Sequence, residues 1–218
     1  LACARHVADM ERAREGGPWR WDPILAQRVC NFMETLPHVK GDWAQRRELI
    51  RLEPWQAFSI CSLFGWVSAE TGLRRFTTGY LEIARKNAKS TVLGGVGLYC
   101  LALDGEAGAE VYSAATTKEQ ARKVFDPARV MAERMPELRT RAGVRVQAHK
   151  ILHPGSEGVF QPLAAQTNSL DGLNPSCALV DELHAHKSRE VVDVIRSGMG
   201  ARTQPLLVAI TTAGSDIG

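Results

Sequence analysis

Apolar positions recur at helical spacing through the first third of the chain and gather into short continuous runs in the rest. A mixed segment from Ala4 to about Glu15 predicts a helix that Gly16-Gly17-Pro18 breaks. Asp22-Pro23 is an N-cap and first-turn pair, followed by Ile24, Leu25, Val29, Phe32 and Met33 on one face. Glu53-Pro54 opens a further helix carrying Trp55, Phe58, Ile60, Leu63 and Phe64, closed by Gly65. From Arg75 onward the pattern changes. Phe76 to Ile83 predicts a strand, Ala84 to Lys89 a polar connector, and Ser90 to Leu103 a buried helix rich in small residues. Ala109 to Ala115 predicts a second strand and Lys118 to Met135 a helix that Asp126-Pro127 is expected to kink or split. Val144 to Ile151 and Gly158 to Leu163, parted by His153-Pro154-Gly155, predict a hairpin. Cys177 to Val180 and Leu206 to Thr211 read as buried strands, with a helix from Arg189 to Met199 between them. Short apolar strands alternating with helices indicate an α/β fold around a mainly parallel sheet.

Composition narrows the class. The 218 residues suffice for one substantial core, and 44% hydrophobic with 23% charged residues is ordinary for a soluble globular protein. No apolar run approaches the roughly 20 residues of a membrane helix, and no export pattern opens the chain, so no membrane partner is expected. A net charge of +3 is compatible with a polyanion partner without requiring one. Cys3, Cys30, Cys61, Cys100 and Cys177 lie far apart and read as reduced core thiols. The chain opens on Leu1 rather than Met and stops after Asp216-Ile217-Gly218, which reads as a fragment.

The chemistry centres on Tyr80-Leu-Glu-Ile-Ala-Arg-Lys-Asn-Ala-Lys-Ser-Thr91. A strand enters a tight polar turn and a helix leaves it, so unpaired amides and the positive end of the helix dipole suit a nucleotide's phosphates. Lys89 is placed to reach the β and γ phosphates and Ser90 to hold Mg²⁺. The standard phosphate loop has glycine where this chain has Ile83 and Ala88. Alone, the segment fits a surface basic loop capping an ordinary helix equally well. The second half is Ala178-Leu-Val-Asp-Glu182, a buried strand with two carboxylates at its tip. In phosphoryl transfer one carboxylate orients the Mg²⁺ shell and the other polarises the attacking water. Asp181 also fits a helix N-cap, but the two motifs together are far more specific than either. The third is Leu206-Leu-Val-Ala-Ile-Thr-Thr-Ala-Gly214, which puts Thr211 or Thr212 beside the γ-phosphate to sense hydrolysis.

Leu52-Glu-Pro-Trp-Gln56, Ala84-Arg-Lys-Asn-Ala-Lys-Ser-Thr91, Val111-Tyr-Ser-Ala-Ala-Thr116 and Leu179-Val-Asp-Glu-Leu-His184 together resemble large terminase subunits of tailed bacteriophages. The resemblance implies a P-loop NTPase with a mainly parallel central sheet flanked by helices, residues 51–218, behind an N-terminal helical segment, residues 1–50. It implies an ATPase motor that drives double-stranded DNA into a procapsid, with ATP and Mg²⁺. Gln56 would recognise adenine, with Trp55 nearby. Arg85, Lys86, Asn87, Ala88, Lys89, Ser90 and Thr91 would bind ATP. Glu182, Lys89 and Arg85 would be catalytic, Ser90 and Asp181 would hold the metal, and Thr211 and Thr212 would couple hydrolysis to motion. Partners would be double-stranded DNA, a portal protein, a small terminase subunit and further copies in a ring, in the cytoplasm of an infected bacterium and transiently on the procapsid.

Two departures matter. Some relatives carry a neighbour-reaching arginine just before the acidic strand, where this chain has Asp171-Gly172, leaving Arg196 and Arg202 as candidates for the trans arginine. The nuclease domain of such proteins is expected to be absent, so the chain is not expected to cut DNA. Competing readings are a helicase-like translocase of superfamily 2, told apart by strand separation, and a non-hydrolysing DNA or portal-binding module. His184 and His186 suggest zinc but lack converging partners. Arg122, Lys123, Arg129, Arg134, Arg139, Arg141 and Arg145 either line a DNA channel or form solvated helix faces. Trp55, Phe58, Phe64 and Trp66 read as core.

Overall fold

A computed structural model describes residues 1–164, 172–183 and 190–212. Three helices and a short strand lead: α1 (Ala2–Arg14), β1 (Trp19–Trp21), α2 (Pro23–Thr35) and α3 (Gly41–Gln45). Then come α4 (Pro54–Gly65), β2 (Trp66–Ser68), β3 (Thr78–Glu82), α5 (Lys89–Ala102), β4 (Glu110–Ala115), α6 (Lys118–Arg134) and α7 (Pro136–Thr140). β5 (Arg145–Val146), β6 (Ile151–His153), β7 (Gly158–Ala164), β8 (Cys177–Asp181), α8 (Glu190–Gly198) and β9 (Leu206–Thr211) follow, with short 3-10 turns at Pro154–Ser156 and Met199–Ala201.

The main sheet has the order β3-β9-β8-β4-β7-β6-β5. Its first five strands are parallel to one another, and the last two pairings, β7 with β6 and β6 with β5, are antiparallel. Side chains alternate between faces along each strand. Leu206, Val208 and Ile210 join the large core beneath α5 and α6, whereas Leu207 and Ala209 join the smaller core that Val191 and Ile195 of α8 complete. A strand buried on both faces reads as an unbroken apolar run, which is why these two stand out in the sequence.

Caps follow the sequence closely. The Asp22 carboxylate accepts from the amides of Ile24 and Leu25, each at 3.1 Å, and Glu53 and Gln56 form a reciprocal capping box. Two expectations are corrected. α6 is not split: it runs as one helix from Lys118 to Arg134 through the buried Pro127, and Val124, Phe125, Ala128 and Met131 hold that face in the core. The hairpin's first arm is Ile151–His153, and the residues before it form a separate strand. Gln147 N–H bonds to the Lys150 carbonyl at 2.9 Å, closing a tight turn that hydrophobic pattern alone does not reveal.

β1 pairs with β2, tying residues 1–50 to the strand that leaves α4. α1 docks on this ribbon through His6, whose Nδ1 accepts from the Trp66 indole at 3.1 Å, and through buried Asp9, paired to Arg75 at 2.8 Å. Trp66 and Phe64 are core residues, and Phe58 stacks edge-on against His6. Cys30, Cys100 and Cys177 are buried, whereas Cys3 is exposed.

α5 is pressed against both α2 and the sheet, and its glycines allow it. A Cβ on Gly97 would lie 2.6 Å from the Phe160 ring and 2.9 Å from Leu179. Alanine gains about 1 kcal/mol of helix propensity there, but the branched side chain of Gly97→Val cannot fit without moving α5 off the strands. That variant is expected to cost about 1–3 kcal/mol in urea unfolding. An unchanged midpoint would show that the packing yields more easily than these distances imply.

Candidate functional site

The connector between β3 and α5 adopts a glycine-like backbone without glycine. Lys86 and Ala88 have φ of 68° and 54°, in the left-handed region, and Ala88 is the N-cap of α5. Among the described residues five non-glycines have positive φ, and three of them are Lys86, Ala88 and Glu182. Backbone held in sparsely populated regions gathers where function requires it. The Asn87 side-chain amide donates to the carbonyl of Ala84 at 3.1 Å, closing the turn from inside. The Ile83 amide donates to the Thr211 carbonyl at 3.0 Å, fixing the root of the connector to the tip of β9.

Because β9 lies between β3 and β8, the three strand tips stand side by side. Lys89 Nζ lies 3.7 Å from Glu182 Oε1 and donates to the Ile83 carbonyl at 3.4 Å. The Ser90 hydroxyl donates to Asp181 Oδ2 at 3.5 Å. Thr212 grips the second carboxylate: its hydroxyl donates to Glu182 Oε2 at 2.8 Å and its amide to the same oxygen at 3.4 Å. Thr211, at the end of β9, is buried. Burial, and then the adjacent Glu182 carboxylate, push the Asp181 carboxyl above its ordinary pKa of 3.8. The Glu182 backbone amide, Lys89 and Lys123 act against that rise.

An apolar cavity between α4, β3 and α5 has Gln56 and Lys89 in its lining, with Trp55, Ile83 and Val92. Gln56 is buried, and its side-chain oxygen accepts from the Glu53 amide at 3.0 Å. Arg85, Lys86, Asn87 and Ala88 are exposed on the connector, and Thr91 is half-buried in the first turn of α5. Lys89, Ser90, Asp181, Glu182 and Thr212 thus come together, with Gln56 reached through the cavity.

The two candidate trans arginines sit elsewhere. Arg202 donates to the carbonyls of Asn174, Ala107 and Gly108 at 2.8–3.0 Å and pairs with Glu106 at 3.7 Å. These partners lie at the N-terminal ends of β4 and β8, the opposite end of the sheet from Asp181, so Arg202 braces its own chain. Arg196 is exposed in the last turn of α8. His184, His186, Asp171 and Gly214 lie outside the described residues. Among the described residues no cluster of three His, Cys, Asp or Glu side chains could hold a metal. No described helix is long and apolar enough to cross a membrane.

Sequence reading did not place Lys123 near the site, and it named Thr212 without its partner. The positive charge of Lys123 is felt at Asp181 because α6 follows β4, the strand beside β8, a neighbourhood visible once strand order is known. Thr212 was readable as a strand-end hydroxyl, but its grip on Glu182 was not.

A turn with left-handed backbone at Lys86 and Ala88, a lysine at the helix start and paired carboxylates two strands away sit in an α/β domain of the P-loop type. The model of the family described as "Terminase large subunit, ATPase domain" matches residues 54–218, and the chain belongs to that family. The terminase large subunit of Enterobacteria phage HK97 is 26% identical over 170 residues, 77% of this chain and 32% of the phage protein. The crystal structure of the HK97 large terminase superposes with a TM-score of 0.71, covering 85% of this chain and 37% of that one, at 26% identity. The Thermus phage P74-26 large terminase ATPase domain shares the fold, with a TM-score of 0.51 at 19% identity over 66% of this chain and 64% of its own. The chain therefore spans about a third of the length of the HK97 protein.

Proposed function

We propose that this chain hydrolyses ATP to ADP and phosphate and drives double-stranded DNA into a viral procapsid, with 51–218 as the ATPase domain and 1–50 as its helical appendage. The observation that carries the reading is the convergence of Lys89 and Ser90 with Asp181, Glu182 and Thr212 at adjacent strand tips. The exposed amides of Arg85 to Ala88 and the first turn of α5 cradle the phosphates, and Lys89 neutralises charge on the β and γ groups. Glu182 takes a proton from the water that attacks the γ-phosphorus as the bond to the ADP oxygen breaks. Thr212 holds the Glu182 carboxylate in place. Thr211 and Thr212 relay the loss of the γ-phosphate, and Gln56 faces adenine through the cavity. The Ser90 hydroxyl and the Asp181 carboxylate are hard oxygen donors of the kind that hold Mg²⁺ together with substrate phosphates, and the ion would offset phosphate charge there. Arg196 is the better placed of the two arginines to reach a neighbour, since Arg202 is engaged within its own chain. A ring of copies acting with a portal protein and a small terminase subunit in the infected host completes the reading.

Asp181→Asn tests it. A carboxyl whose folded pKa is raised binds more protons folded than unfolded, so stability falls as pH rises from about 3.8 through the folded value. Above that folded value the cost is present in full, and the neutral amide removes it. The variant without nucleotide is expected to melt above the parent, while ATP with Mg²⁺ no longer raises its Tm as it does the parent's. A full Mg²⁺-dependent ATP shift in Asp181→Asn would end the metal assignment.

A further inference from the structure

The chain's positive excess is not spread over its surface. Residues 134–150 hold five basic and one acidic residue, against 22 basic and 23 acidic in the remainder. The fold sorts the arginines of this region. Arg122 pairs with Asp126 at 2.9 Å, and Arg129 pairs with Glu133, so both are neutralised on their own helix. Arg134, Arg139, Arg141 and Arg145 are exposed and, among the described residues, have no carboxylate within ion-pairing distance. Arg134 donates only to the carbonyl of His38, at 3.1 Å.

The segment is held rigidly for so polar a stretch. Leu138 and Val144 are buried in the main core, and the Val144 amide donates to the Leu138 carbonyl at 3.1 Å. The Arg141 amide donates to the Glu137 carbonyl at 2.9 Å, so the chain folds back on α7 before entering β5. Arg139, Arg141 and Arg145 are thereby carried on a pre-ordered turn at the sheet's antiparallel edge. β5 pairs Arg145 with Leu152, which pairs with Val159 near the start of β7, so this edge is remote from the carboxylates at the far end of β8.

Unneutralised like charges repel one another, and an exposed guanidinium cluster on an ordered backbone suits a polyanion that can take forked N–H donors. We propose that α7, the turn after it and β5 form a docking surface for the phosphate backbone of duplex DNA, with Arg139, Arg141 and Arg145 as the main contacts. The choice of duplex DNA among polyanions rests on the packaging reading; the surface itself rests on charge and exposure alone. Contact with phosphates is sequence-independent and releases counterions, so it is read in the salt dependence.

Binding of a fluorescent 30-base-pair duplex by this chain, followed by anisotropy without nucleotide across a NaCl series, tests the surface separately from ATP turnover. Arg139→Glu/Arg141→Glu/Arg145→Glu is expected to melt like the parent. It should lower the slope of log affinity against log salt by about 3, near 1 per charge lost. At fixed low salt, affinity should fall at least 30-fold. Arg5→Glu/Arg12→Glu/Arg14→Glu on α1 makes the same change in net charge beyond the opposite edge of the sheet, and should leave the slope nearly unchanged. Equal losses in both variants, or none in either, would overturn the proposal. So would a parent chain that ignores the duplex at 50 mM NaCl while binding an acidic protein, since the edge would then serve that partner instead.

Discussion

Glu182→Gln is expected to lower ATP turnover by about 10³-fold while ATP affinity stays within a few-fold of the parent. A positioned general base contributes roughly 10²–10⁴ in rate, and glutamine removes the basic oxygen while keeping size and shape. Glutamine can also keep the local architecture. Thr212 donates to Glu182 Oε2 at 2.8 Å, and an amide oxygen accepts the same bond. The left-handed backbone at residue 182, φ 49°, is equally open to both side chains. The ion pair with Lys89 is lost, but at 3.7 Å and with a half-exposed carboxylate it contributes little. Lys89 remains free to meet phosphate. Loss of kcat with nucleotide binding retained therefore isolates the proton-accepting role. Turnover within tenfold of the parent would remove Glu182 from that role and direct attention to Asp181, whose carboxyl is already pushed toward protonation by burial.

The sequence made the parallel strands legible because they are buried on both faces, and a run such as Leu206-Leu-Val-Ala-Ile210 has no competing explanation. Asp22-Pro23 and Glu53-Pro54 were legible because capping is local chemistry written in adjacent residues. The connector between β3 and α5 was only half legible. Ala88 and Lys86 take backbone angles that glycine usually advertises, and nothing in an alanine or lysine announces a left-handed turn. The antiparallel edge was blurred for a related reason: β5 is two residues long, too short for alternation to register. Contacts that depend on strand order, such as Thr212 holding Glu182, are not written at any fixed spacing. The docking of α1 was hidden by composition, since Asp9 in a polar helix gives no hint that its carboxylate is buried against Arg75.

The largest stability effect is expected from Asp104→Ala. Arg74 is almost wholly enclosed, its side chain 3% exposed, with the Phe64 ring 4.9 Å from its guanidinium carbon. Burial alone would lower its pKa, but the charge and hydrogen bonds of Asp104 more than reverse that, so the guanidinium stays ionised. Asp104 receives it in a fork, at 3.1 and 2.8 Å, and the Gln204 carbonyl accepts a third bond at 2.8 Å. These residues come from three loops: before β3, after α5 and before β9. The fork therefore clamps the far end of the unit whose near end is the phosphate connector. Removing only the carboxylate strands a buried charge, which costs about 3–5 kcal/mol, and at about 2–4 °C per kcal/mol the melting temperature should fall by at least about 6 °C. Removing both charges is a different matter. Arg74→Met/Asp104→Leu replaces the pair with apolar groups that the surrounding Phe64 can pack against, and such exchanges are often nearly neutral. The double variant should thus melt well above Asp104→Ala, and a thermal-shift series of the two against the parent measures the coupling directly. If Asp104→Ala melts within about 1 kcal/mol of the parent, water reaches the guanidinium and the clamp is not closed. If the double variant recovers stability but not turnover, the pair sets the pitch of α5 against β3, and the position of Lys89 depends on a contact at the other end of its helix.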